Sequence, residues 1–288
     1  GALALITGIL SGYPVGASAV ADLRSRRLCT KEEGERMLAF CTNSGPLFVL
    51  GAVGTGMFHS QKIGLLLYIA HVLAALLTGL AFRFYRYSKP SAQEISIKQP
   101  PASETISSCI CGSIKNSVIS ILSVCGFVVA FSVFISMMTN GLFQAPSMLS
   151  AGVGGFFEVT RGCLDASALS VSLSQRLLLC SAMMGFAGMC VHFQIIGIIS
   201  KTDLSLRPYF LGKLLCAALS VLILFVLLRF VPIDMQVFLQ YYPDIRFVPT
   251  SFSQIAKLTL FYLGIGGISM LILYLVAFIT SKFEKEEK

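Results

Sequence analysis

The stretch Gly152-Val-Gly-Gly-Phe-Phe-Glu-Val-Thr-Arg-Gly162 places a single carboxylate, Glu158, inside apolar and glycine-rich sequence. No other Asp or Glu occurs from Thr105 to Leu164. A carboxylate at membrane depth is costly unless it meets a partner, a cavity or a proton, and glycines favour a broken, closely packed backbone. The stretch therefore predicts the tip of a helical hairpin that carries a functional acid. A solvated group at the membrane surface is the alternative.

The composition is that of an integral membrane protein. Of the 288 residues, 55% are hydrophobic and only 12% are charged, and several apolar runs are long enough to cross a bilayer. The net charge of +8 comes from Lys and Arg in loops and at the ends of spans, not from one basic face. The expected partners are thus the lipid bilayer and a small molecule, with nucleic acid excluded and the oligomeric state left open.

The nine cysteines lie mostly in apolar segments and are interpreted as small core residues. Only Cys109 and Cys111 are close together, and no further ligands stand at metal-binding spacing, so no metal site is expected. The chain opens at Gly1 in apolar sequence, which suggests a fragment of a longer protein.

The first half of the chain contains two interruptions by Gly and Pro. A re-entrant hairpin is predicted over residues 1–20, because Ser11-Gly-Tyr-Pro-Val-Gly-Ala17 breaks the segment after about ten residues, which are too few to cross. An ordinary span kinked at Pro14 is the alternative. Thr30 and Glu33 have the spacing of a capping box for the next helix. That helix, 37–58, is broken at Cys41-Thr-Asn-Ser-Gly-Pro46, and a plain span follows at 63–82.

A polar linker at 88–108 separates the two halves. The second half repeats the order of elements and then adds a tail. Its predicted segments are a helix at 116–138, a hairpin at 145–172, a broken helix at 176–199, a helix at 209–229, an external loop at 231–254, and a final helix and cytoplasmic tail at 255–288.

Matching residues recur at one offset, as in Gly12 with Gly155 and Gly45 with Gly188. Most of the 22 Lys and Arg, Lys213 among them, fall on the side of the 21–36 loop, which makes that side cytoplasmic. The two hairpins then enter from opposite faces. The predicted fold class is an all-α integral membrane protein with an inverted-topology repeat, two re-entrant hairpins and interrupted transmembrane helices, an arrangement that binds substrate near the midplane.

The sequence resembles the YlbJ (SpoVV) family of sporulation integral membrane proteins, within the nucleoside-recognition or Gate-domain membrane proteins. The motifs that carry the resemblance are Ser11-Gly-Tyr-Pro-Val-Gly-Ala17, Thr30-Lys-Glu-Glu-Gly-Glu35, Asn43-Ser-Gly-Pro46, Gly51-Ala-Val-Gly54 and Phe157-Glu-Val-Thr160. The resemblance implies a fold similar to concentrative nucleoside transporters, with Gate-type repeats at 1–87 and 109–230. It also implies transport of dipicolinic acid across the outer forespore membrane, whose cytoplasmic side faces the mother cell.

A planar dianion needs hydrogen-bond donors and a surface for its ring. The candidate substrate-binding residues offer backbone N–H groups, hydroxyls, amides, aromatic rings or a guanidinium: Ser11, Gly12, Tyr13, Asn43, Ser44, Gly155, Phe157, Thr160, Arg161, Gly188 and Gln194. Ordinary helix packing is the alternative role for each of them.

Glu158 and His192 are the candidate groups for a coupling ion, either a proton or sodium. Glu158 would repel a dicarboxylate if ionised beside it, so pairing with Arg161 or His192 is the other expectation. His192 as a satisfied interior histidine also stays open. No cofactor is expected, and the absence of the common catalytic motifs argues against an enzyme. The rival functions are a nucleoside-type or other polar-solute carrier and a non-transporting spore-assembly protein.

Overall fold

The computed structural model describes residues 2–86, 106–142 and 147–231. The chain divides into two compact units, 1–102 with 114–234 and 103–113 with 235–288. Of the second unit only 106–113 are described, so the fold below is that of the first unit. The predicted external loop at 231–254 and final helix at 255–288 lie outside the described residues except for Val231, as does most of the 88–108 linker.

The first half of the described chain begins with two short helices that pack together, α1 (Ala2–Ser11) and α2 (Val15–Ser25). Helix α3 (Lys31–Leu38) follows, then an irregular stretch, a π-helix (Leu47–Met57) and the long helix α4 (Gln61–Phe82). Helix α3 begins earlier than the predicted residue 37, because the capping box of Thr30 and Glu33 is present at its start.

The second half runs in the same order after the long helix α5 (Ile106–Leu142). Its elements are the helix pair α6 (Met148–Phe157) and α7 (Val159–Ser167), the pair α8 (Leu173–Phe186) and α9 (Gly188–Ile199), and the long helix α10 (Arg207–Phe230). Helix α5 starts inside the segment predicted as linker. The all-helical prediction is confirmed for the described residues, which contain no strand.

Within the part of the chain that the structure describes, four helical segments are long and apolar enough to cross a membrane: Gln61–Phe82, Ile110–Met138, Leu173–Ile199 and Arg207–Phe230. The third consists of α8 and α9 with the break between them. Whether the two short helix pairs enter a bilayer from opposite faces stays a prediction.

Three loops meet at one end of this unit. Arg24, at the end of α2, forms a bidentate ion pair with Asp203, which precedes α10. Glu35 of α3 is fully buried and accepts a hydrogen bond from the backbone N–H of Ser205. The guanidinium of Arg36 donates to the carbonyl of Tyr85, beyond α4. These contacts tie together the loops that the charge distribution assigns to one side of the membrane.

Candidate functional site

Each short helix pair rests with its tip against a break in another helix. Gly12, between α1 and α2, has a φ of +78°, and a Cβ there would lie 2.8 Å from the backbone nitrogen of Gly45. Gly188, at the start of α9, has a φ of +72°, and a Cβ there would lie 3.0 Å from the carbonyl oxygen of Gly155 in α6. Glycine is needed at both positions for two reasons. A side chain would collide with backbone atoms, and residues that carry a side chain are strained in the left-handed conformation.

The first break, residues 39–46, exposes backbone groups that α-helix bonds would otherwise satisfy. The backbone N–H of Ser44 donates to Nε2 of His71 in α4, at 3.0 Å. The Asn43 side-chain amide donates to the carbonyl of Phe40 at 2.8 Å. Both predicted residues are therefore buried at the break, and Oδ1 of Asn43 has no hydrogen-bond partner among the described residues.

Lys213 is the residue at this break that the sequence analysis missed. The charge count assigns it to the cytoplasmic side of the membrane, and in the structure it lies in the second turn of α10 and is 1% exposed. Its ammonium donates to the carbonyl oxygen of Thr42 and lies 5.2 Å from the centre of the Tyr13 ring. A cation is held there because orphaned carbonyls and an aromatic face attract it.

His71 is a second residue that gained its significance only from the structure. Because its Nε2 accepts a hydrogen bond, the neutral imidazole carries its proton on Nδ1. That Nδ1 is buried and meets no acceptor in the described part of the chain. The first break thus has an unused N–H donor on His71, which bonds to Ser44, and an ammonium on Lys213, which bonds to Thr42, and both groups can bind a carboxylate.

Tyr13 connects the two breaks. Its hydroxyl donates to the carbonyl oxygen of Met184, in the last turn of α8, at 2.8 Å. The same hydroxyl accepts from the Ser44 hydroxyl at 3.1 Å. The tip of the first helix pair is thereby bonded to both interrupted helices, and the predicted residues Tyr13, Asn43 and Ser44 form one polar cluster.

Glu158 separates α6 from α7 and caps α7. Its carboxylate, on a residue 3% exposed, accepts hydrogen bonds from the backbone N–H groups of Thr160 at 2.9 Å and Arg161 at 2.7 Å. The helix N-terminus supplies favourable partial charge there. The Arg161 guanidinium turns away to the exposed side, where it pairs with Asp165 at 3.0 Å.

His192 and Gln194 lie buried in α9. Nδ1 of His192 shares a 2.6 Å hydrogen bond with the hydroxyl of Tyr209, while its Nε2 has no partner among the described residues. The Gln194 amide makes a long contact of 3.5 Å with the sulfur of Cys190. Among the described residues, His192 bonds to Tyr209 and not to Glu158.

The remaining predicted residues lie apart from the polar cluster. Ser11 is exposed at the end of α1, and the Phe157 ring packs against Phe131 and Phe134 of α5. Within the described ranges no group of three His, Cys, Asp or Glu residues is placed to hold a metal ion. The structure therefore brings together a donor cluster around the first break and a capped carboxylate at the second helix pair.

Comparison with known proteins gives one informative relative. The sporulation integral membrane protein YlbJ of Bacillus subtilis (strain 168) is 33% identical over 247 residues, which cover 75% of this chain and 60% of that protein. The chain thus spans about 60% of the length of the curated relative it matches. No family model matches the chain, and no solved structure matches it.

Proposed function

Because the chain belongs to the YlbJ-like family of sporulation integral membrane proteins, we propose that it carries a small organic anion across a bacterial membrane. Dipicolinic acid is the proposed substrate and the outer forespore membrane the proposed location. The relative's name supports a membrane role in sporulation, while the case for an anion comes from the first break.

Lys213 is the observation that carries the proposal. An ammonium removed from water is costly unless an opposite charge compensates it, and ionisable residues within membrane spans mark ligand pathways. Lys213 is 1% exposed, and no carboxylate in the described part of the chain pairs with it. A bound anion would supply the missing charge.

The surrounding donors fit a carboxylate ligand. The Lys213 ammonium has three N–H groups and uses one on Thr42, and the His71 imidazole offers an unused Nδ1–H. We assign the counter-ion role to Lys213 and not to Arg161, because the Arg161 side chain is exposed and already pairs with Asp165. The Tyr13 ring supplies an aromatic face beside the ammonium.

The order of elements supports an inverted repeat. Each half contains a pair of short helices, an interrupted helix and a long apolar helix, and each pair contacts a break through glycines. Opposed entry of the pairs would place both breaks near the midplane. Glu158, buried at the second pair, remains the proposed coupling group for a proton or sodium ion, with His192 as a second candidate.

The test is uptake of labelled dipicolinate into liposomes that contain the full-length protein, with and without a proton or sodium gradient. Lys213→Met should raise the half-saturating concentration about tenfold or more, since a hydrogen bond to a charged group contributes about 1.5–3 kcal/mol. Lys213→Arg, which keeps the charge, should retain more activity than Lys213→Met. Equal uptake by both variants would contradict the proposed counter-ion.

The unpartnered Oδ1 of Asn43 favours a second candidate, a neutral solute that donates hydrogen bonds, such as a nucleoside. Labelled uridine in the same liposomes distinguishes the two. Uptake of uridine that survives Lys213→Met would favour the nucleoside carrier. Uptake of neither solute by folded protein would favour an assembly role without transport.

A further inference from the structure

Two adjoining cavities lead inward from the end of the unit where the three loops meet. The outer cavity, of about 190 Å³, is lined by Arg24, Arg27 and Lys201 together with neighbouring polar residues. The inner cavity, of about 500 Å³, lies between α2, α5 and α9. Ser25, Lys201 and Thr202 line both cavities, so the two adjoin, and the inner one has the volume of a small-molecule site.

The outer cavity is a basic mouth. Arg24 is bound to Asp203 and to the carbonyl of Cys29, so its charge is fixed in place and partly compensated. Arg27, held in a left-handed conformation with φ +55°, and Lys201 are exposed and form no ion pair with an acid in the described ranges. A concave basic surface raises the local concentration of anions.

The inner cavity combines hydroxyl groups with apolar surface. Ser18, Ser120 and Ser123 contribute hydroxyls, Phe127 contributes a ring, and the buried Gln194 contributes an amide. Asp22 also lines the space, and its carboxylate is neutralised by Arg26 at 2.9 Å. Donors beside an aromatic ring suit a flat aromatic ligand with polar substituents.

One residue that lines the inner cavity is the chain neighbour of a member of the polar cluster at the first break. Pro14 lines the cavity, and the adjoining Tyr13 places its ring beneath Lys213. The lining residues therefore include exposed cations, hydroxyls and a ring, and Pro14 is next in the chain to the residue whose ring lies beside the buried ammonium.

We propose that these adjoining cavities are the vestibule through which an aromatic carboxylate reaches the first break from the Arg24 side. Arg27 and Lys201 attract the anion to this vestibule. The residues that contact the anion inside the vestibule are Ser18, Ser120, Ser123, Phe127 and Gln194. The inference rests on the proposed function and adds a second ligand position distinct from Lys213.

The test uses Ser120→Cys in protein whose Cys109, Cys111 and Cys125 are replaced by Ser. A membrane-impermeant anionic thiosulfonate reagent should modify the introduced cysteine. Dipicolinate should slow the modification, while the neutral pyridine-2,6-dicarboxamide should not. Ser123→Cys provides a second reporter should Ser120→Cys fail to fold, as judged by size-exclusion chromatography. Modification without protection, or no modification of either folded variant, would overturn the vestibule.

Charge variants test the mouth. Lys201→Gln should lower the rate for the anionic reagent relative to a cationic one by roughly threefold, while Lys115→Gln, an exposed lysine of α5 that lines neither cavity, should not. An unchanged ratio in Lys201→Gln would refute electrostatic attraction at the mouth.

Lys213→Met, combined with Ser120→Cys, separates this inference from the proposed function. If dipicolinate still protects the introduced thiol in the combined variant, the vestibule binds the ligand separately. If this protection is lost in the combined variant, the ligand is held by Lys213 alone. If dipicolinate protects the thiol but the parent protein takes up no dipicolinate, the transport proposal is contradicted while the vestibule is supported as a binding site.

Discussion

The backbone of Gly12 lies directly against the backbone of Gly45, so that the tip of the first helix pair is seated on the break of the next helix. Gly155 and Gly188 make the corresponding contact in the second half. These are the four glycines that match at one offset in the sequence. The shared spacing therefore corresponds to a shared contact, and this contact positions both halves of the candidate site.

Gly188→Ala should destabilise the protein by about 1–2 kcal/mol or more, because an L residue in the left-handed region is strained and the new methyl group would meet the Gly155 carbonyl. The readout is thermal unfolding of the purified protein in detergent. Gly197→Ala is the matched control on the same helix, where a Cβ has nothing within 4 Å. It should be neutral or slightly stabilising. Equal unfolding temperatures for the two variants would contradict the close approach of Gly188 to the Gly155 carbonyl.

Glu158→Ala should lower stability by about 1–2 kcal/mol, because two N–H groups of α7 lose their acceptor. Glu158→Gln keeps one acceptor oxygen and should lose less. If Glu158 also handles the coupling ion, Glu158→Gln should abolish the dependence of uptake on the gradient while the protein stays folded. Gradient-driven accumulation by Glu158→Gln would confine Glu158 to its capping role.

Tyr13→Phe should reduce uptake, because it removes the hydroxyl that binds the Met184 carbonyl and the Ser44 hydroxyl. A buried acceptor left without its donor costs about 1–3 kcal/mol, so unfolding should begin at a lower temperature. Tyr85→Phe is the control, since within the described ranges its hydroxyl forms no hydrogen bond with either break. Wild-type uptake and stability in Tyr13→Phe would show that the bridge is dispensable.

The guanidinium of Arg24 lowers the pKa of Asp203 below its usual value. A depressed carboxyl pKa contributes stability above the unfolded-state pKa, and that contribution is lost as the pH falls through the folded-state pKa. The unfolding temperature should therefore decline below about pH 4. Because the pair is partly exposed, the effect should not exceed about 1 kcal/mol.

Arg24→Gln should weaken this pH dependence, and in an Asp203→Asn background it should have little additional effect. Additive losses from the two changes would mean that the ion pair does not contribute. Unfolding curves recorded between about pH 6 and pH 3.5, a range that spans the usual carboxyl pKa, provide the comparison.

Local signals predicted the helical elements well. The capping box of Thr30 and Glu33 predicts the start of a helix, and the Gly and Pro residues near Asn43 and the glycines near Gly188 predict the breaks. Capping and helix breaking can be predicted because each depends on residues that are close together in the chain. The isolated position of Glu158 in the sequence predicts a functional acid, and in the structure this residue is buried as the N-cap of α7.

The donors around the first break could not be predicted in the same way. Lys213 meets Thr42 across 171 positions of sequence, and His71 meets Ser44 across 27. Hydropathy placed Lys213 near the start of a span, where lysines usually extend to water. Only the packing of α10 against α3, through Gly212 and Ala39, shows that it points inward.

The position of Lys213 has a consequence for biogenesis. During synthesis α10 emerges after Thr42, so the first break can receive the ammonium of Lys213 only once α10 packs against it. Since Lys213 lies in the second turn of α10, its ammonium can stay at the lipid headgroups while the apolar remainder inserts. We therefore expect this charge to lose its water when α10 docks onto the break, and not when the helix first inserts.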